Sequence, residues 1–261
     1  MHQFACCLVQ FILPTLMPYS ALCLDLDDTL WPVAPAIVSA EKLTAAFLAR
    51  EFPAVVPVGQ VPAVTIAEMR RWREQVAGLH AGRAYDLTWL RTEALRCQAL
   101  AAGLGEAAAT AMAAAAFEVF FAERHAVEPY AEVPAALERL ATRFPLYVLS
   151  NGNADPARTS LGKHFRAAFS ARGLGVAKPD PRAFQAVAES AGIPVGRWLY
   201  VGDDPHADVV GARSAGMATA WVHRHEKQWP AGLERADHEF ADLWEMMDWL
   251  MAEDELQSRS P

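Results

Sequence analysis

With 261 residues, 53% of them apolar and 21% charged, the chain is long enough for a large core plus one inserted or appended domain. Its formal charge of −8 excludes a surface that grips nucleic acid, which needs clustered Lys and Arg. A small phosphorylated substrate stays open, because a metal and a few local cations reverse the field inside a cleft.

Residues 1–16 are apolar but carry no Lys or Arg before the apolar part, and Pro14 interrupts a run too short to cross a bilayer. They read as a poorly ordered extension, with Met17 an alternative first residue. No other stretch is apolar enough to span a membrane. Cys6, Cys7, Cys23 and Cys97 form no CxxC or metal-ligand pattern, as expected of reduced thiols in the cytoplasm.

The run 21–24 reads as a buried strand that opens abruptly into three carboxylates, Asp25, Asp27 and Asp28. Crowded carboxylates raise one another's proton affinity, so they persist where a cation neutralises them or where one must hold a proton. Apolar spacing then predicts four helices over residues 39–51, 65–80, 86–102 and 106–128, with a Val/Pro-rich connector at 54–63. Four helices with no strand between them imply a small bundle, residues 33–128, inserted between the two parts of another domain, 17–32 and 129–252.

From Pro129 onward helix and strand alternate. Helices are expected at 133–143, 182–191, 205–215 and 241–251, and strands at 146–149, 198–201 and 218–222, followed by a disordered acidic tail, 253–261. Such alternation means an α/β fold, a parallel sheet covered on both faces, with its ligands outside the carboxyl ends of the strands. Three Asp-Pro pairs, at 155, 180 and 204, each set a capping carboxylate before a proline whose missing N–H costs nothing there.

Polar clusters fall at those strand ends. Asp25 and Asp27 can divide nucleophilic attack from proton handling; the bland alternative is an acidic turn that caps a helix. Ser150 offers a hydroxyl, and Asn151, Gly152 and Asn153 offer N–H groups for an anion, unless the segment is only a turn. Lys178 is either a site cation or a solvated lysine. Asp203 reads as a metal ligand, with Asp208 supporting it and Asp204 drawn toward the N-cap that Pro205 follows. Asp28 has no firm role.

Taken in order, Asp25-Leu26-Asp27-Asp28-Thr29-Leu30, Ser150, Lys178 and Gly202-Asp203-Asp204 resemble the haloacid dehalogenase superfamily over residues 19–223. The resemblance implies a Rossmann-like core with a helical cap between the first and second motifs. It makes Asp25 the nucleophile that becomes an aspartyl phosphate, and Asp27 the acid and base. Ser150 and the Asn151 amide hold phosphoryl oxygens, and Lys178 offsets their charge. Mg²⁺ is implied too, bridging an Asp25 oxygen, the Asp27 backbone carbonyl and Asp203.

Within that superfamily Asp27 favours a phosphatase over a dehalogenase, since a displaced halide needs no proton and an alkoxide does. A phosphomutase carries the same motifs, and a catalytically silent binding protein could reuse the fold. The stretch 85–91 further resembles the branch of flavin mononucleotide phosphatases and the pyrimidine phosphatase of riboflavin synthesis. That makes Arg83, Tyr85, Trp89 and Arg91 candidates for contacting a ring or ribityl chain. Alternatively, Trp89 packs between helices, Asp86 caps one and the arginines face water. The expected partner is a small phosphate ester, bound by a monomer or homodimer.

Overall fold

The computed structural model describes residues 18–57, 59–224 and 228–258. The extension expected at 1–16, Cys6, Cys7 and the last three residues lie outside them.

The first strand, β1 (Ala21–Leu24), is followed by four helices, α1 (Val33–Glu51), α2 (Pro62–Leu79), α3 (Leu87–Ala101) and α4 (Glu106–Glu123). The chain then alternates through α5 (Val133–Ala141), β2 (Leu146–Ser150), β3 (Phe165–Ser170), α6 (Ala171–Leu174), α7 (Pro181–Ala191) and β4 (Trp198–Gly202). It ends with α8 (Gly211–Ala215), β5 (Ala218–Val222), β6 (His238–Phe240) and α9 (Leu243–Ser258). The six strands are all parallel, in the order β3-β2-β1-β4-β5-β6.

This is the doubly wound Rossmann order, in which the direction of winding reverses between β1 and β4. Each face of β1 is buried in its own core, because successive side chains of a strand point to opposite sides. Leu22 and Leu24 pack with α5 and α9, while Ala21 and Cys23 pack with α7 and α8. The carboxyl ends of β1 and β4 therefore meet at the reversal, with Leu24 in register with Val201. The acidic residues that follow both strands share that crevice.

Two strands escape a reading by pattern. β3 and β6 are the edges of the sheet: Arg166 interrupts β3 after its first residue and β6 opens with His238 and Glu239, so no long apolar run marks either. The expected helix over 205–215 is instead a wide π-type turn, Pro205–Val210, leading into α8. α9 continues through Ser258, where a disordered tail was expected from residue 253. The added residues, Glu, Asp, Leu and Gln among them, include several good helix formers.

The four-helix insert packs on itself. α1 starts six residues earlier than residue 39, because Pro35 falls within the first turn, where its missing N–H has no intrahelical partner to lose. Small residues on α4 (Ala109, Ala113 and Ala116, all fully buried) let it approach Leu48 of α1 and Leu95 of α3 closely. The helix stops at Glu123, and Arg124 begins the return to the sheet. No helix among the described residues is long and apolar enough to cross a membrane.

Candidate active site

The turn after β1 is built by its own residues. Leu26 and Leu30 are fully buried and anchor it, and the Asp25 N–H donates to the Val201 carbonyl of β4 at 2.9 Å. Asp28 sits at φ 59°, a left-handed conformation that Asp tolerates better than most residues. Its Oδ1 accepts from the Val33 N–H at 3.0 Å, which ties the turn to the first residue of α1. Asp28 therefore starts the helical insert.

Asp25, Ser150, Lys178, Asp203 and Asp208 converge at the strand ends, all at least nine-tenths buried. The Lys178 Nζ donates to Asp25 Oδ1 at 2.7 Å, to Asp208 Oδ1 at 2.7 Å and to the Tyr200 hydroxyl at 2.8 Å. Burial alone would lower its pKa; Asp208 and Asp25 outweigh burial and hold the ammonium above the ordinary lysine value. Burial drives Asp25 well above the usual carboxylate range, with Lys178 opposing and Asp208 adding to the rise. Tyr200 is raised as well, by burial first and then by Asp208 and Asp25.

Asp25, Asp203 and Asp208 each offer a carboxylate oxygen, and these atoms lie within 4.8 Å of one another. Three carboxylates against one ammonium leave a negative excess in a dry site, and hard oxygen donors in such a cluster fit a divalent cation. Asp208 is thus a full member of the acidic group, where the sequence suggested a supporting place. Its Oδ2 accepts from the Asp204 N–H at 2.9 Å and lies directly against Gly202, so any side chain at 202 would collide with it. Asp204 caps the following turn, accepting from the His206 and Ala207 N–H groups. Thr29 donates to Asp203 at 3.1 Å.

The Asp27 carboxylate stands apart from that acidic group. It accepts from Trp31 Nε1 at 2.9 Å and from Arg124 Nη2 at 2.6 and 2.5 Å. A Cβ on Gly152 would lie 2.6 Å from Asp27 Oδ2 and 3.2 Å from Ser150 Oγ, so glycine is required for Asp27 and Ser150 to face one cleft. The Asn151 side chain is occupied elsewhere. It clamps the backbone of Lys178 from both sides at 2.8 Å, which sets the lysine's position.

Of the four insert residues suggested for substrate contact, Arg91 alone lines the cavity beside Asp27. The Arg83 guanidinium lies over the Trp89 ring at 4.3 Å, and Trp89 meets the His80 ring edge-on at 5.1 Å. These two occupy each other at the side of the insert, and Asp86 caps α3 by accepting from the Trp89 N–H. The Tyr85 hydroxyl reaches across toward Gly175 of the sheet domain.

Two residues at the site went unread. Tyr200 lies inside an apolar strand run, where an aromatic signals only core; its hydroxyl donates to the Leu149 carbonyl at 3.0 Å. Arg124 follows the aromatic end of α4, and nothing in its neighbours in sequence distinguishes it from a solvated arginine. It is 1% exposed.

The family described as haloacid dehalogenase-like hydrolase matches residues 19–216. The 5-amino-6-(5-phospho-D-ribitylamino)uracil phosphatase of Escherichia coli is 32% identical over 203 residues, 78% of this chain and 83% of that protein. The phosphoserine phosphatase of Thermus thermophilus is 32% identical over 225 residues, 78% of this chain and 88% of that one. The crystal structure of a 2-haloacid dehalogenase from Pseudomonas syringae is 34% identical with a TM-score of 0.82, covering 90% of this chain and 99% of that one.

Proposed function

The chain belongs to the haloacid dehalogenase-like hydrolase family, and from this we propose that it is a Mg²⁺-dependent phosphatase of small phosphate monoesters. The reading rests above all on Asp27, a carboxylate facing the same cleft as Asp25, Ser150 and Lys178. A halide leaves without a proton; an alkoxide needs one, and in this reading Asp27 supplies it.

In this reading the Asp25 carboxylate attacks phosphorus, the ester bond breaks, and the leaving oxygen takes a proton from Asp27. Asp27 then removes a proton from the water that hydrolyses the aspartyl phosphate. The Ser150 hydroxyl and the Asn151 amide hold phosphoryl oxygens, and Lys178 offsets the charge gathered there. When bound, Mg²⁺ would be held by Asp25, Asp203 and Asp208 with the Asp27 backbone carbonyl beside them, and would neutralise charge shared between Asp25 and the phosphoryl group. Free Cys23 and Cys97 suit a cytoplasmic setting. Mutual packing of Arg83 and Trp89 lends no support to ring stacking by these two residues.

One observation favours a second reading, haloacid dehalogenase: the 34% identity and 0.82 TM-score to the Pseudomonas syringae enzyme. A single pair of assays separates the two. The phosphatase releases phosphate from p-nitrophenyl phosphate only with Mg²⁺ and releases no chloride from 2-chloropropionate. Chloride release without phosphate release would reverse the assignment.

A further inference from the structure

Beside the catalytic cleft lies a second cavity of about 350 Å³, sharing Asp27 and Gly152 with it. Its charged wall is lopsided. Arg73, Arg91 and Arg124, from three segments of the insert, line it together with one carboxylate, Asp27. Behind the wall Glu41 is buried, but Arg70 takes it at 2.5 Å, while Arg73 and Arg91 stand off at 3.8 and 3.9 Å, beyond hydrogen-bond reach. Four guanidinium groups thus share two carboxylates.

Arg124 spends Nη2 on Asp27, and its Nη1 is buried without a hydrogen-bond partner. A buried donor left unpaired costs free energy, and Arg124 carries that cost at the edge of the cavity. Arg91 stacks on the Phe120 ring, its guanidinium carbon 3.5 Å from the ring centre. Its pKa is pushed down to about 9, by burial first and then by the positive field of Arg73, with Glu41 opposing and Arg124 and Arg70 adding to the fall. An anion held by Arg91 and Arg73 supplies the counter-charge that Glu41 gives them only at a distance.

We propose that this cavity binds a carboxylate of the same molecule whose phosphate sits at Asp25, so that the substrate class is a short phosphate ester bearing a carboxylate. The inference rests on the phosphatase reading and narrows it. A carboxylate brings two oxygens and one charge, matching the Arg91 fork with Arg73 beside it. A second phosphate would bring a further charge and oxygen into a cavity whose other wall is Val33, Ile37, Leu87 and Phe120. The same apolar wall suits a short carbon skeleton.

The test compares paired probes on the full chain with Mg²⁺. In turnover, kcat/KM for 3-phosphoglycerate is expected at least about tenfold above that for glycerol 3-phosphate, which has a hydroxymethyl in place of the carboxylate. Arg91→Met should bring that ratio toward one. Hydrolysis of both esters at equal efficiency overturns the carboxylate site and leaves the phosphatase reading standing. Hydrolysis of neither ester while p-nitrophenyl phosphate is cleaved overturns the carboxylate-ester class, and no hydrolysis of any of the three defeats the phosphatase reading; calorimetry then still decides the site. 3-Phosphonopropionate is expected to bind wild type at least about tenfold more tightly than propylphosphonate. Equal affinities, or tighter binding of a propane bisphosphonate, would overturn the proposal.

Discussion

The sheet domain and the helical insert handle buried charge in opposite ways. At the strand ends one cation, Lys178, is locked between Asp25 and Asp208 at 2.7 Å each, and the negative excess is left for a divalent ion. Around the cavity of the insert the excess is positive, and Glu41, buried behind that wall, holds one arginine tightly and two loosely. The sheet site is short of cations and the cavity of anions; in the proposed reading the metal supplies the first and the carboxylate of a phosphate ester the second. The proposed reading assigns the chemistry to the sheet and the choice of substrate to the insert.

Breaking the sheet side gives the largest effect. Asp25→Asn should lower phosphate release by several orders of magnitude, measured with p-nitrophenyl phosphate, while the far-ultraviolet circular dichroism stays that of wild type. Lys178→Met should cost about 10²–10³ in kcat, as loss of one charge-stabilising donor does. It also leaves Asp25 and Asp208 facing each other, so Mg²⁺ should raise the Tm of this variant more than that of wild type.

On the insert side the expected effects are smaller and fall on stability. Glu41→Ala removes the buried counter-charge of Arg91 and Arg73; since Arg70 is about half exposed and relaxes into water, the cost is about 2 kcal/mol in urea unfolding. Hydrolysis of p-nitrophenyl phosphate should persist in that variant. If it vanished, the division between the two regions would fail.

The junction between the regions supplies the smallest effect, a pH dependence. His125 Nε2 accepts the Asp155 N–H at 2.9 Å, so its Nδ1 carries the proton and meets the Phe121 carbonyl at 2.6 Å. Burial holds its pKa below the ordinary histidine value. The unfolded chain therefore takes up a proton first, and stability present above about pH 6.5 declines as pH falls through that value. Thermal unfolding should show this decline in wild type, and His125→Phe should flatten it.

How much of this was legible in the sequence divides along the same line. A strand end has a fixed place in a parallel sheet, so Asp25, Ser150 and Asp203 were located by the apolar runs that precede them. The close approach of Asp208 to Gly202 was not legible, because spacing on a regular helix does not show the π-type turn that sets it there. In the insert, which side chains reach the cleft depends on how four helices pack. Periodicity gave the helices but could not tell Arg91, which lines the cavity, from Arg83, which lies on Trp89. Arg124 was invisible for the same reason: its partner, Asp27, lies 97 residues away.

The central claim, that Asp25 is the nucleophile and Asp27 handles the protons, is tested most directly with Asp27→Asn and p-nitrophenyl phosphate, whose leaving group needs no proton. Rapid acid quench followed by mass analysis of the peptide containing Asp25 should find one phosphoryl group on that residue, accumulated because water is no longer activated. Steady hydrolysis by this variant with Asp25 never modified would contradict the account.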